Sequence, residues 1–205
     1  NGIDRPAALC GRNYATWDNP VEKAIIKAVV EKDGGDFSDI NLIPSTVYDT
    51  ITALNSGIDS VWVMYAWDGI GTKIKGIETN FIDFGKIDPV FDYYTPFFIA
   101  NIDFLKSDGE SAKKFLLAVK QGFEYAIENP EESAEILCNA APELDRKLVF
   151  ESQKWIASQY KAEEKRWGYF SPERWNRFYR WLSESGLVSS PIPDDTGYTN
   201  DYLSD

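Results

Sequence analysis

The feature that most constrains this chain is a change of pattern near its middle. Short β-like runs alternate with helical ones up to Phe84, and beyond Asn101 only helical spacing is found. Alternation of the first kind is the mark of α/β units built on a parallel sheet. Tyr14-Ala15-Thr16-Trp17 reads as a strand; Asp18 or Asn19 then caps a helix with Pro20 in its first turn and Val21, Ala24, Ile25, Ala28 and Val29 at helical spacing, stopped by Gly34-Gly35. Ile40 to Ile43 reads as a second strand. Ser45 or Thr46 opens a helix carrying Val47, Ile51 and Leu54 and closed by Gly57, and Ser60 to Tyr65 reads as a continuous buried strand. Phe81 to Phe84 adds a shorter strand, and Pro89 to Asn101 is a dense aromatic, extended run.

Four helices are expected after that run. Ser107 with Glu110 fits a capping box before Phe115, Leu116, Val119, Phe123 and Ile127. Pro130 starts a second helix and Pro142 a third, through Leu148, Val149, Trp155 and Ile156; Ser171-Pro172 starts a fourth, with Trp175, Phe178, Tyr179 and Leu182 on one face and Gly186 as the stop. Residues 189–205 are rich in Pro, Gly and Asp and read as irregular. A helical array without strands of its own looks like the cladding of a sheet that lies elsewhere.

Composition removes whole classes of chemistry. The chain has 205 residues, 43% hydrophobic and 26% charged, enough apolar mass for a real core. It contains no histidine, which excludes Ser-His-Asp and Cys-His catalysis and His-based zinc sites within these residues. The formal net charge of −12 argues against nucleic acid, which selects clustered Lys and Arg. Cys10 and Cys138 form no C-x-x-C pair and read as two buried free thiols. No run reaches the roughly 18 apolar residues of a membrane span. Leu9-Cys10-Gly11 lacks the cationic and apolar stretches that precede a lipoprotein cleavage site, and the chain opens on Asn1-Gly2, not on Met.

Three segments put aromatic and polar groups where parallel sheets bind ligands, at strand ends and helix starts. In Thr16 to Val21, Trp17 is placed to stack on a planar ring while Asn19 and the backbone at Val21 meet its polar edges; the plain alternative is a capped turn with a packing tryptophan. Tyr65-Ala66-Trp67-Asp68-Gly69 offers two aromatics beside a carboxylate that can accept from exocyclic amino groups, against core packing with Asp68 as a cap. Asp92-Tyr93-Tyr94-Thr95 brings Tyr93 to where the chain leaves the first unit, as a cleft wall or as hinge packing. Glu131-Glu132 and Glu163-Glu164 are adjacent and lack the facing geometry of paired catalytic carboxylates. Asp83, Asp88 and Asp92 lack the oxygen spacing of a calcium loop. The basic residues from Lys161 to Arg180 read as a solvated face, with docking to an acidic partner as the alternative.

Ile3 to Arg12 resembles the segment that opens the second lobe of type II periplasmic solute-binding proteins. Tyr65 to Gly69, the run from Phe123 to Ala134 and Gly197 to Leu203 are similar to the thiamine-pyrimidine-precursor-binding (SsuA/THI5-like) subfamily of these ABC-transporter components. The resemblance covers essentially the whole chain. It implies an α/β fold of the periplasmic-binding-protein type II class, with residues 1–92 as the second α/β lobe and 93–205 as the hinge return and the C-terminal helical part of the first lobe. It also implies a C-terminal fragment, since such proteins carry a further stretch of roughly ninety residues ahead of this region, judged from the size of a lobe. The helices from Lys113 onward would then present Phe115, Leu116, Val119, Trp155 and Phe178 to water or to one another.

The expected function is binding of a pyrimidine or related aromatic heterocycle for an ABC importer. No catalysis, cofactor or metal is expected. The partners are the heterocycle and a membrane permease, without nucleic acid; the location is extracytoplasmic, with membrane contact only through a lipid anchor in the absent N-terminal part. The ligand residues are Trp17, Asn19, Val21, Tyr65, Trp67, Asp68 and Tyr93. Asp68 stands where the subfamily commonly has Glu. The alternatives are a pyrimidine-synthase-like enzyme of the same fold, whose fungal members use a Cys-rich motif and a His that are missing here, and a ligand sensor fused to a signalling domain.

Overall fold

A computed structural model describes residues 2–204 and divides the chain into two compact units, Asn1–Tyr93 with Asn176–Asp194, and Tyr94–Trp175 with Asp195–Asp205. The first holds the sheet: β1 (Asn13–Thr16) lies between β2 (Asn41–Pro44) and β3 (Ser60–Val61), all parallel, with Thr16 opposite Pro44 and Ala15 opposite Val61. The mixed α/β class expected from the alternation is what is found.

Between β1 and β2 runs α1 (Pro20–Lys32). Asn19 caps it, its Oδ1 accepting from Val21 N at 2.8 Å, and Pro20 opens its first turn. Ile25, Ile26, Val29 and Val30 are buried against the strands and against Leu9, Tyr14 and Ile40, each contributing about 2 kcal/mol of burial. Gly34, at φ 85°, ends the helix in a conformation that costs glycine nothing. Arg5 clamps this end: its guanidinium donates to both carboxylate oxygens of Asp33 at 2.7 and 2.8 Å, while Ala7 N donates to Oδ2. The Arg5-Pro6 pair is therefore a structural lock, with Pro6 starting a 3-10 turn over Pro6–Leu9.

Three expected elements differ. The helix after β2 is α2 (Thr50–Asn55), capped by Asp49, because Ser45 N is committed to Thr16 O at 3.0 Å and extends the ladder instead. The strand predicted through Tyr65 pairs only at Ser60 and Val61. Asp68 N and Trp67 N bond back to Met64 O, which curls Tyr65–Gly69 into a π-helical turn that runs into α3 (Ile70–Ile74). No strand forms at Phe81–Phe84: Asp83 accepts from Gly85 N at 3.1 Å and starts α4 (Phe84–Ile87). Cys10 is also only half-buried, its Sγ 3.4 Å from Asp36 O, whereas Cys138 is buried as expected.

The second unit is helical: α5 (Ile102–Glu128), α6 (Pro130–Ala140) and α7 (Arg146–Ala157). α5 begins five residues before the predicted Ser107 start, capped by Asn101, and breaks at Asp108, whose backbone leaves helical geometry (φ −147°, ψ 51°). Ser107 bonds back to Asp103 O, and Asp108 caps the continuation through Ser111 N. Asp145, three residues after the predicted Pro142, caps α7. Phe123 stacks on Trp167 with centroids 4.9 Å apart, and Asn200 anchors the tail by exchanging two hydrogen bonds of 2.9 Å with the Phe170 backbone. The fourth predicted helix is α8 (Pro172–Glu184). Trp175 belongs to the second unit and donates to Thr196 O, whereas Phe178 and Leu182 are buried in the core of the first. Phe178 is thus not among the solvent-facing aromatics that the sequence suggested. Among the described residues no helix is long and apolar enough to cross a membrane.

Candidate functional site

Because the three strands are parallel, their carboxyl ends at Thr16, Pro44 and Val61 share one edge of the sheet. This is the edge at which open α/β sheets hold ligands. Trp17, the first residue beyond β1, is 49% exposed, a large indole surface in water. Its ring centroid lies 6.1 Å from that of Trp62, the first residue beyond β3, and Trp62 in turn packs edge-on against Phe84 at 5.4 Å. Two strand ends thereby supply one aromatic shelf. Trp62 was not singled out from the sequence. Its signal is its position, one step past the last paired residue of a parallel strand.

The turn from β1 into α1 is braced by a buried carboxylate. Glu22, in the first turn of α1, is 5% exposed and accepts from Tyr14 OH at 2.6 Å, Thr16 Oγ1 at 3.0 Å and Trp17 N at 3.1 Å. Thr16 Oγ1 accepts in turn from Asp18 N at 2.9 Å. Burial first, then the hydrogen bond to Glu22, pushes the Tyr14 hydroxyl far above the ordinary phenol range and keeps it a donor. Asp18 sits at φ 62°, a left-handed conformation costly for a residue with a Cβ, and its carboxylate pairs with Lys23. The network holds the backbone in this shape and so fixes where the Trp17 ring stands.

On the other side of β1, the turn after β3 is tied by Asp68, whose Oδ2 accepts from Met64 N and whose Oδ1 accepts from Thr50 Oγ1, both at 3.2 Å. Asp68 therefore links the first residue of α2 to the π turn. The Tyr65 ring lies over Gly69, where a Cβ would come within 2.5 Å of it, and packs on Phe81 at 4.6 Å. Trp67 is exposed.

Of the sequence-predicted ligand residues, Trp17, Asn19 and Val21 share the β1–α1 turn, and Tyr65, Trp67 and Asp68 share the turn that follows β3. Asn19 and Val21 are already bonded to each other. Tyr93 stacks on Phe178 with centroids 4.1 Å apart and planes at 14°, and burial raises its hydroxyl above the ordinary range. Among the described residues no group of three or more Cys, Asp or Glu side chains is placed to hold a metal ion.

A small parallel sheet flanked by helices defines an α/β protein. More narrowly, the chain belongs to the NMT1/THI5 like family, whose model matches residues 1–133. It is 23% identical over 207 residues to a formylaminopyrimidine-binding protein of Halalkalibacterium halodurans, which covers 97% of this chain. The 4-amino-5-hydroxymethyl-2-methylpyrimidine phosphate synthase THI5 of Saccharomyces cerevisiae is 28% identical over 55% of the chain, and a Candida albicans synthase of the same name is 26% identical over 64%. The chain spans 61% of the length of the first of these relatives and 31% and 39% of the two synthases.

Proposed function

We propose that this chain is the ligand-binding part of an importer component that captures a pyrimidine or a related flat heterocycle, and that it carries out no chemistry on it. The observation that carries the reading is the Trp17–Trp62 shelf at the carboxyl edge of the sheet, with Asp68 on the neighbouring turn. Indole faces supply stacking to any flat ring, and a carboxylate selects rings bearing amino donors. Trp17, Trp67 and Tyr65 are the proposed stacking residues, Asp68 the acceptor and Asn19 the polar edge; the commitment of Val21 N to Asn19 Oδ1 and the Tyr93–Phe178 stack make Val21 and Tyr93 the weakest members of the set. The pyrimidine-binding relative supports the reading because its similarity extends over nearly the whole chain. An ABC permease as docking partner, an extracytoplasmic location and a lipid anchor belong to the same proposal.

The synthase reading has its own support in the fungal relatives, whose similarity covers 55% and 64% of the chain. Against it stands the absence of histidine from these residues, which removes the commonest general base. Calorimetric titration with formylaminopyrimidine, aminopyrimidines, flavins, sugars and amino acids separates the possibilities. A pyrimidine binding at micromolar Kd or better, about −8 kcal/mol, with a change in tryptophan emission is expected. Binding of sugars or amino acids alone would refute the assignment.

A further inference from the structure

The β1–α1 turn has the position of an anion site, yet its hydrogen-bond donors are spent. Pro20 has no N–H. Val21 N and Glu22 N both donate to Asn19 Oδ1, at 2.8 and 3.4 Å, and Lys23 N donates to Asn19 O at 3.1 Å. Trp17 N donates to Glu22 and Asp18 N to Thr16. Of residues 17–23 only Asn19 keeps a backbone N–H without a described acceptor, whereas a phosphate at a helix start takes several. The charge has the wrong sign as well. Glu22 is buried in the first helical turn, where its carboxylate offsets the positive end of the helix, and Lys23 is held by Asp18.

From this arrangement we infer that the site selects an uncharged or cationic ring over the phosphate ester of the same ring, and that Glu22 is the positioning residue behind this selection. The inference rests on the pyrimidine-binding reading and narrows it to a substrate class. Glu22 acts in two ways. Its three donors fix the Trp17 backbone, and its buried charge repels any second anion brought to the turn, because such a charge is screened far less than one in water. A synthase that releases a pyrimidine phosphate needs the opposite arrangement, so the same feature separates the two readings of the family.

The test titrates the full chain with 4-amino-5-hydroxymethyl-2-methylpyrimidine, with its phosphate ester and with inorganic phosphate, the last followed through the 15N–1H shifts of the Val21 and Glu22 amides. The ester is expected to bind at least about tenfold more weakly than the free pyrimidine, as like charges several Å apart in a partly buried site require. Inorganic phosphate at tens of millimolar should leave the two amides unmoved. An ester that binds equally or more tightly, or phosphate-induced shifts at Val21 and Glu22, would overturn the inference. If neither pyrimidine binds, the functional reading falls, and the phosphate titration still decides whether the turn admits an anion. Glu22→Gln should narrow the preference several-fold while Glu22→Asp preserves it. An equal loss for both ligands in Glu22→Gln would show Glu22 to be merely structural; should that variant not fold, the wild-type titrations decide the selectivity alone.

Discussion

The two units of this chain bury their apolar residues very differently. In the first, Ile25, Ile26, Val29 and Val30 of α1 are sealed in one core with Tyr14 of the sheet and with Leu9, Ile40, Phe91, Phe178 and Leu182. In the second, the residues buried on α5, α6 and α7 are mostly small, Ala112, Ala134, Cys138, Val149, Ser152 and Ala157, while Phe98, Ile102, Phe115 and Ile136 are more than half exposed and Ile99 is 87% exposed. A sheet offers a helix a broad apolar surface, and helices packed only on each other cover one stripe apiece. The first unit therefore has what a self-sufficient core needs. The second has apolar surface beyond what its own packing uses, the kind of surface that marks an interaction face.

Five substitutions put that contrast under strain. The largest effect belongs to Ile26→Ala, which should cost about 2 to 5 kcal/mol in denaturant unfolding, since a fully buried side chain leaves a cavity. Phe115→Ala, at a side chain 54% exposed, should cost under about 0.5 kcal/mol in the same unfolding measurement. Comparable losses from the two would erase the difference between the units. Within the first unit, Asp68→Asn should weaken binding of an amino-bearing heterocycle by about 1.5 to 3 kcal/mol by calorimetry, the worth of a hydrogen bond to a charged group. Part of any loss of stability in that variant would come from the bonds to Met64 N and Thr50 Oγ1. Trp17→Ala should cost about 1 to 3 kcal/mol of affinity, the usual worth of stacking on one ring. Trp181→Phe, packed on Phe91 and Phe178, should leave affinity nearly unchanged.

The smallest effect concerns acid. Arg5 holds the Asp33 carboxyl below the ordinary carboxylate range, through its hydrogen bonds first, with Ala7 N adding to them. A lowered folded pKa means that the clamp's contribution is complete above the unfolded value of about 3.9 and is lost as pH falls through the lower folded value. Asp33→Asn should therefore lower stability near neutrality, where the clamp's contribution is complete, and make progressively less difference as pH falls below about 4, so that the acid limb of the profile flattens. A variant that lost its stability equally at neutral and acid pH would show that the clamp acts through shape and not through charge.

How far the sequence carried depended on whether the deciding interaction was local. α1 was legible because its cap, its proline, its apolar spacing and its glycine stop all lie in one stretch from Asn19 to Gly34. The length of β3 was not, since the bonds that curl the chain at Met64 come from residues that read equally well as strand and turn. The helix predicted at Ser107 misled because Ser107 bonds backward to Asp103, a choice that the pattern of residues leaves open. At the candidate site, Trp17 and Asp68 stand out by type and position. Glu22 looks like any first-turn acid until Tyr14, Thr16 and Trp17 are seen to donate to it, and Trp62 looks like core until Trp17 is found beside it.

The central claim is that the carboxyl edge of the sheet in the first unit is the ligand's seat. A crystal structure of the protein with a bound aminopyrimidine tests this most directly. The account predicts the ring within about 3.5 to 4 Å of the Trp17 or Trp62 indole, at van der Waals contact, with an amino group directed at Asp68. A ring seated on the exposed aromatics of the second unit, with the Trp17–Trp62 shelf bare, would contradict it.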